Sequence, residues 1–340
     1  MAVQKYGLDL GTGNIKIYKD GQGLILKEKN MIAVRKKIEM VAFGDDAYSM
    51  YERCADTIRI SHPIKNGVIA GLSDMIILLD QFLRKAKCSN SIIRNNEFYL
   101  SVPSAITEVE KRAFFDLAMG SEFKSKELYI VEKPIAAVLG EKIDVLRTPG
   151  FMVIDLGADT IEIAIIALGG IVSSRLLKNG GNYINQAICD AVKEKHHLLI
   201  GMKTAEQLKI QLASAIASEP KYMEVLGRDL ISGLPSKANI SSSLVQEPVK
   251  KLLEQIIKTS KEMREHTPPE IYEAILNEGT LITGEGSLIP NLKTYMQESL
   301  KIPVIMAEFP DQSVVNGLGT IMKDDKFKRL AFSVKEAIFS

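Results

Sequence analysis

Two short segments, each with an Asp followed by glycine, are the parts of this chain best suited to bind a metal ion and phosphate. Residues 7–17 read Gly-Leu-Asp-Leu-Gly-Thr-Gly-Asn-Ile-Lys-Ile, and residues 153–163 read Val-Ile-Asp-Leu-Gly-Ala-Asp-Thr-Ile-Glu-Ile. Each run has isoleucines six and eight residues after its Asp, which is Asp9 in the first run and Asp155 in the second. Two carboxylates beside a polyphosphate can hold Mg²⁺, directly or through its waters. The pattern predicts that Asp9 and Asp155 face each other and bind Mg²⁺.

The residues after each Asp are suited to bind phosphate, because glycine permits positive φ and lets backbone N–H groups approach an anion. The predicted contacts are Gly11, Thr12, Gly13 and Asn14 in the first run and Gly157, Ala158, Asp159 and Thr160 in the second. A single Asp-Leu-Gly usually makes only a turn, so the repetition is what indicates a ligand. The Walker A motif and the dinucleotide fingerprint are absent, which disfavours those nucleotide-binding folds.

Two further segments are candidates for nucleoside contacts. Gly284, Glu285 and Gly286 follow an apolar segment and precede a helix, where backbone groups can meet an adenine or ribose. The alternative is a simple strand-to-helix turn. Glu206 and Lys209 share one helical face and could contact a ribose, but such a pair is most often a solvated surface couple.

The elements that would position these residues form a duplicated α/β domain. Each run is predicted to be a strand, a tight polar turn and a second strand, and the isoleucines share one face of that second strand because side chains alternate with period two. Helices follow both copies, as α/β layering requires. Thr107 and Glu110 form a capping box whose helix ends near Gly120, and a second box at Thr204 predicts a helix through about Ala217.

Bulk properties exclude several classes of function. The chain has 340 residues, with 43 Lys and Arg against 42 Asp and Glu, so no net field attracts nucleic acid, and no nucleic-acid partner is expected. Three widely spaced cysteines indicate reduced thiols in a cytosolic protein. The first residues lack a signal peptide, and no apolar run reaches the roughly 18 residues that span a bilayer. A cytoplasmic protein is expected.

Taken together, these motifs resemble the actin superfamily and, within it, the MreB family of rod-shape-determining proteins. The glycine runs match its two phosphate motifs and its adenosine motif, and Gly317 and Gly319 match its second connecting motif. Residues 63–70, 102–112, 198–206 and 227–235 resemble MreB in particular. The resemblance extends from about residue 5 to about residue 322.

The resemblance implies duplicated actin-like (ribonuclease H-like) domains, with four subdomains around a central nucleotide cleft. Subdomain IA would comprise residues 1–30, 71–143 and 314–340, and IB residues 31–70. Subdomain IIA would comprise residues 144–181 and 252–313, and IIB residues 182–251. The resemblance also implies ATP and Mg²⁺ in the cleft and self-assembly into protofilaments, usually in antiparallel pairs. Such filaments lie on the inner face of the cytoplasmic membrane and guide cell-wall elongation proteins.

Three motifs depart from the family pattern, at four positions. The family usually has Glu-Glu-Pro where this chain has Glu132-Lys133-Pro134, so Lys133 occupies the place of the residue that positions the attacking water. An ammonium only donates hydrogen bonds and cannot act as a base unless its pKa falls strongly, and the adjacent Glu132 is expected to point elsewhere. Ala158 and Asp159 replace two glycines of the second phosphate motif, and Glu285 lies among the adenosine glycines.

One hypothesis unites two of these changes. Lys133 and Asp159 could form a compensating ion pair inside the cleft, leaving a site that binds nucleotide but hydrolyses it slowly or not at all. The alternative is two unrelated substitutions whose side chains point to solvent.

A membrane contact is a further expectation from the resemblance. Ile92 and Ile93 match an apolar loop that inserts into lipid, and nearby Lys85, Lys87 and Arg94 suit an anionic surface. The alternative is that two isoleucines ahead of a strand belong to the core.

Three functions from different classes remain open. The favoured one is a cytoskeletal protein whose filaments assemble with ATP. The second is a filament subunit or scaffold with decayed ATPase activity that modulates a more active relative. The third is a small-molecule kinase or a chaperone ATPase on the same fold. It is disfavoured because sugar kinases lack the MreB-like stretches and a chaperone would need a further peptide-binding domain.

Overall fold

The computed structural model describes residues 3–36, 39–88, 96–123, 127–217 and 219–333. The first half of the chain contains, in order, β1 (Gln4–Leu10), β2 (Asn14–Lys19), β3 (Gly23–Lys29), β4 (Ile32–Arg35), β5 (Glu39–Phe43), α1 (Gly44–Met50), β6 (Ile58–Ser61), β7 (Ile64–Lys65), β8 (Val68–Ile69), α2 (Leu72–Lys85), β9 (Asn96–Val102), α3 (Glu108–Gly120), β10 (Glu127–Glu132) and α4 (Lys133–Gly140).

The second half contains a similar alternation of strands and helices. Its elements are β11 (Phe151–Leu156), β12 (Ile161–Ala167), β13 (Gly170–Leu177), α5 (Gly181–His196), β14 (Leu198–Leu199), α6 (Met202–Leu212), β15 (Tyr222–Asp229), β16 (Pro235–Ser241), α7 (Ser242–Glu265), α8 (Pro269–Glu278), β17 (Thr280–Thr283), α9 (Leu292–Leu300), β18 (Val304–Met306), α10 (Ser313–Lys323) and β19 (Phe332–Ser333), with 3₁₀ helices at Glu285–Leu288 and Asp325–Leu330.

The two large sheets share a five-strand topology, to which the first sheet adds β19, and this shared order confirms the predicted duplication. Within the described residues, the strand order is β3-β2-β1-β9-β10-β19 in the first sheet and β13-β12-β11-β17-β18 in the second. In each sheet three antiparallel strands are followed by two parallel ones. Parallel neighbours require crossover connections, and helices in those connections bury the sheet faces. Each half is therefore a layered α/β unit.

The described residues also form two three-stranded sheets. Strands β4, β5 and β6 form one, and β14, β15 and β16 form the other. They fall within the segments predicted as subdomains IB and IIB, although the subdomain boundaries themselves stay predictions.

The two halves are joined by helices α4 and α10, which pack against each other between the large sheets. Their apolar cluster includes Tyr99 and Val131 from the first sheet and Phe151 and Val153 from the second. All four side chains are buried. This shared core holds the two sheets together below the cleft.

Helix α3 begins and ends as the sequence predicts. The Thr107 hydroxyl accepts from Glu110 N at 3.3 Å, and the Glu110 carboxylate accepts from Thr107 N at 2.7 Å. The helix ends at Gly120. The predicted capping box is confirmed.

The prediction for helix α6 was wrong at both ends. Its start is set by a contact from the other half of the chain. The helix spans Met202–Leu212, and Thr204 lies inside it. Glu52 accepts from Met202 N at 2.6 Å and from Lys203 N at 3.3 Å. A carboxylate at a helix N-terminus satisfies free N–H groups and suits the helix dipole. The sequence around Thr204 contains no sign of this distant partner.

Replacement of Gly317 by alanine tests how closely α4 and α10 pack. A Cβ on Gly317 would overlap the carbonyl oxygen of Ala136. Although alanine favours a helix over glycine by about 1 kcal/mol, we expect Gly317→Ala to lower the free energy of unfolding by about 2 kcal/mol or more, through overpacking. Urea denaturation followed by circular dichroism measures the change.

Gly170→Ala is the matched control for this substitution. Its Cβ would have only an ordinary contact, 3.7 Å from the carbonyl oxygen of Ala167, so its effect should stay within about 0.5 kcal/mol. A Gly317→Ala protein as stable as the wild type would contradict the close crossing of the two helices.

Candidate functional site

A cleft between the two large sheets brings the two predicted turns together. Of the predicted binding and metal residues, those that line it are Asp9, Gly11, Thr12, Gly13, Asn14, Lys133, Asp155, Gly157, Ala158, Thr160, Gly284 and Glu285. A Cβ placed on Gly13 would lie 3.0 Å from the Cβ of Ala158, so the turns approach closely.

Hydrogen bonds from neighbouring segments fix both turns. Asn30 donates from its side chain to Gly11 O at 2.8 Å and from its backbone to Gly13 O at 3.1 Å. In the second turn, Gly157 N donates to Thr160 O at 2.9 Å, and Gly181 N, at the start of α5, donates to Gly157 O at 3.0 Å. No local motif in the sequence identifies Asn30 as a partner of this turn.

Asp9 is surrounded by hydrogen-bond donors, two of which are ammonium groups. Lys16 lies opposite it on β2, with Nζ 3.1 Å from Asp9 Oδ2. Lys133, the first residue of α4, places its Nζ 3.1 Å from Asp9 Oδ1, and Ser101 Oγ donates to the same oxygen at 3.0 Å. Asp9 itself is only 4% exposed. This geometry was not predicted: Asp9 was assigned to Mg²⁺, and in the structure both of its oxygens accept from lysines.

The pKa shifts of Asp9 and Lys133 both favour the charged form of each group. Burial alone would raise the pKa of the Asp9 carboxyl, but Lys133 and Lys16 outweigh it and hold that pKa well below its usual range. Burial would lower the pKa of Lys133, but the carboxylates of Asp9 and Asp155 reverse the effect and raise it. Lys133 is therefore a fixed cation at neutral pH.

The second hairpin has a carboxyl at the position equivalent to Lys16. Glu162 lies opposite Asp155 in the β11–β12 register, and its Oε1 accepts from both the backbone N and the Oγ of Ser104 at 2.6 Å. These bonds connect the second half to the loop after β9. Burial raises the pKa of Asp155 and raises the pKa of Glu162 to about 7, although the Ser104 hydrogen bonds favour the ionised form.

The sequence contained a signal for Lys16 and Glu162 that was missed. Each lies seven residues after its Asp, between the isoleucines at positions six and eight. Those isoleucines, Ile15 and Ile17 in the first copy, are fully buried in the core. With period two, the residue between them must face the opposite side of the strand, which is the cleft.

The hypothesis that Lys133 pairs with Asp159 was wrong. Lys133 bonds Asp9, whereas Asp159 Oδ1 accepts from Asn182 Nδ2 at 2.8 Å and its Oδ2 accepts from Asn66 N at 3.1 Å. These bonds hold Asp159 at the rim of the second turn, and it does not line the cleft.

Glu285 connects the third glycine run to the first half of the chain. Its Oε1 accepts from Asn14 Nδ2 and from Lys27 Nζ, each at 3.0 Å. Lys27 also bonds Asp311 Oδ2 at 2.8 Å. Asn14, predicted to contact phosphate, thus donates to a side chain on the opposite wall of the cleft.

The glycines beside Glu285 allow the chain to pass close to β11. Gly284 has a φ of +83°, and a Cβ there would overlap Oδ1 of Asp155. A Cβ on Gly286 would lie 2.8 Å from the Cβ of Leu156, and Gly286 packs there without lining the cleft.

Contacts near helix α6 join the two halves above the cleft. Glu206 Oε2 accepts from the Tyr48 hydroxyl at 2.8 Å, and Lys203 Nζ donates to Tyr48 O. Lys209 Nζ donates to Gly181 O at 3.1 Å, and burial lowers its pKa. Glu206 and Lys209 thus bond other parts of the protein, and their predicted ribose contact stays a prediction.

The remaining candidates lie elsewhere. Glu132 precedes α4 and does not line the cleft. The membrane prediction for Ile92 and Ile93 falls outside the described residues. Among the residues that the structure describes, no group of three or more His, Cys, Asp and Glu side chains is arranged to hold a metal ion. In that same part of the chain, no helix combines the length and apolarity needed to cross a bilayer.

Comparison with known proteins gives consistent relatives over nearly the whole chain. A family model described as MreB/Mbl protein matches residues 3–329. The cell shape-determining protein Mbl of Bacillus subtilis is 32% identical over 336 residues, 98% of this chain and 100% of that protein. The cell shape-determining protein MreB of Escherichia coli is 34% identical over 323 residues, 93% of this chain and 92% of that protein.

Solved structures show the same fold. MreB5 of Spiroplasma citri bound to AMPPNP matches with a TM-score of 0.89 and 30% identity, covering 97% of this chain and 98% of that one. The MamK double helical filament matches with a TM-score of 0.78 and 21% identity, covering 94% and 99%. The predicted actin-like fold is confirmed.

The raised pKa of Glu162 predicts a pH dependence of stability in the nucleotide-free protein. The folded chain keeps a proton on Glu162 that the unfolded chain loses near pH 4.5. Glu162 therefore contributes fully to the free energy of unfolding below pH 4.5, and this contribution is lost as pH rises through about 7. Glu162→Gln keeps the acceptor for Ser104 and removes the proton. We expect the wild type to lose up to about 1.4 kcal/mol of stability per pH unit in this window relative to the variant.

Urea denaturation of both proteins at several pH values between about 4.5 and 8 measures this difference. Parallel pH profiles for the two proteins would show that Glu162 titrates normally in the folded chain.

Proposed function

This chain belongs to the MreB/Mbl family, and on that premise we propose that it is an actin-like cytoskeletal protein that binds ATP and forms filaments that help to determine cell shape. The observation that carries the proposal is the pair of facing glycine turns with Lys16 and Lys133 in the same cleft. Backbone N–H groups of such turns and two cations together suit a polyphosphate.

Related proteins support the choice of nucleotide and the self-assembly. MreB5 of Spiroplasma citri has been solved with AMPPNP and with ADP, and MamK as a double helical filament. In this chain the phosphates would lie between residues 11–14 and 157–160, which line the cleft except at Asp159. The nucleoside would lie towards Gly284, Glu206 and Lys209.

A filament subunit with slow or absent hydrolysis is the form of this function that the site favours. ATP hydrolysis needs a group that orients or deprotonates water. Lys133 is an ammonium held on Asp9, Glu162 already accepts two hydrogen bonds from Ser104, and Glu132 lies outside the cleft. Nucleotide would therefore act here as a bound ligand that stabilises the closed cleft.

The cellular placement is proposed from the family alone. Antiparallel protofilament pairs would lie on the inner face of the cytoplasmic membrane, with Ile92 and Ile93 inserting into lipid, and would act with cell-wall elongation proteins. The protein would then be cytoplasmic and peripheral to the membrane.

Electron microscopy of the purified chain on anionic vesicles, with and without ATP, tests the assembly. We expect filaments on the vesicles in both conditions, because a subunit that does not hydrolyse ATP has no cycle that couples assembly to turnover. Filaments only with ATP would support ATP-driven assembly, and their absence at every protein concentration would contradict the cytoskeletal proposal.

The double variant Ile92→Ser with Ile93→Ser separates lipid binding from assembly. It should form filaments in solution but lose co-sedimentation with vesicles, since two apolar anchors are removed. Unchanged vesicle binding would contradict the proposed anchor.

Phosphate release from ATP tests the role of position 133. The wild type should be slow, and Lys133→Glu should be at least about tenfold faster, because a positioned carboxylate can orient and deprotonate water. Lys133→Gln is the matched control: it removes the ammonium without supplying a base and should stay slow. Brisk turnover by the wild type would contradict the proposal.

A further inference from the structure

The cleft contains its own cation at the place where two carboxylates face each other. Lys133 Nζ lies 3.1 Å from Asp9 Oδ1, and both Asp9 and Asp155 line the cleft beside the phosphate turns. We propose that the Lys133 ammonium takes the place of a divalent metal ion, so that this chain binds nucleoside triphosphate without Mg²⁺. This inference rests on the proposed function.

The residues present do not fit a metal ion bound directly to Asp9. Its Oδ1 accepts from Lys133 and Ser101, and its Oδ2 from Lys16. A divalent ion bound to either oxygen would lie close to an ammonium, and the two positive charges would repel each other strongly in a buried site. Displacing either lysine would leave a buried charge without its partner, which is costly.

Lys133 is well placed to act as a permanent counter-ion. It begins helix α4, where Pro134 occupies the first turn, so its backbone is rigid. Its side chain is only 14% exposed, and Asp9, Asp155 and Glu162 all act to keep it charged. An ammonium has three N–H donors. Lys133 lines the cleft, so N–H groups that do not bond Asp9 can donate to a bound phosphate.

The other charges of the cleft also reduce the need for a metal. Lys16 supplies a second cation. A triphosphate that enters the cleft therefore meets two ammonium groups, Lys16 and Lys133, which neutralise part of its charge without a divalent ion.

Fluorescence titration with an N-methylanthraniloyl analogue of ATP tests the proposal on the full chain. Binding is measured in magnesium chloride and in EDTA. For the wild type we expect the dissociation constants in the two conditions to agree within about threefold. For Lys133→Glu we expect binding in EDTA to be at least about tenfold weaker than in magnesium, because the internal cation is gone and a carboxylate has been added.

Two further variants make the result specific. Lys133→Met keeps much of the side-chain length, removes the charge, and should also become metal-dependent if Lys133→Glu fails to fold. Lys258→Gln removes an exposed lysine of α7 and should bind as the wild type does in both conditions. Circular dichroism verifies the fold of each protein.

The outcomes separate this inference from the proposed function. Wild-type binding that is tight in magnesium and lost in EDTA would overturn the internal cation and leave the ATP site intact. Binding by Lys133→Met that is equally strong with and without magnesium would also overturn it. No binding by the wild type in either condition would overturn the ATP site and this inference together.

Discussion

The buried carboxylate of Asp9 is the constraint on which the rest of the cleft depends. A carboxylate taken out of water costs several kcal/mol unless it is paired and hydrogen-bonded. Here Lys16, Lys133 and Ser101 surround it. These partners come from β2, α4 and β9, so the ion cluster fixes the first glycine turn to the helix that also joins the halves. Removing one lysine would disturb the position of the turn as well as the charge of the site.

The two halves meet at three levels, and each level has a different physical character. At the base, α4 and α10 bury an apolar core shared by both sheets. In the middle, Glu162 accepts from Ser104 in a buried site. At the mouth, Glu206 and Tyr48 form a partly buried hydrogen bond. Contacts at an exposed mouth break more easily than a packed core, so opening of the cleft would begin at the mouth and pivot about the helices.

The fold and the chemistry of the site have separate determinants in this protein. The fold matches MreB relatives over almost the whole chain, while the charge inside the cleft depends on a few side chains, Lys133 above all. One fold can carry sites of different chemistry, because that chemistry depends on a few side chains.

Local patterns in the sequence predicted the duplicated α/β hairpins, whereas the four-subdomain arrangement was implied by the family resemblance. The repeated Asp-Leu-Gly runs predicted the duplicated hairpins, and Thr107 with Glu110 predicted the start of α3, because turns, caps and alternation depend on residues close in the chain. The same alternation also specified that Lys16 and Glu162 face the cleft. The subdomain boundaries and the nucleotide contacts stay predictions.

Only the tertiary structure decided which charges meet. Lys133 could have paired with Asp159 on sequence grounds, but at the start of α4 it reaches Asp9 on β1, while Asn66 and Asn182 engage Asp159. Likewise Glu52, far away in the chain, sets the start of α6. The partners in such an ion pair or cap are far apart in the sequence. The distance between them is fixed only when the sheets and helices pack, so no local pattern predicts it.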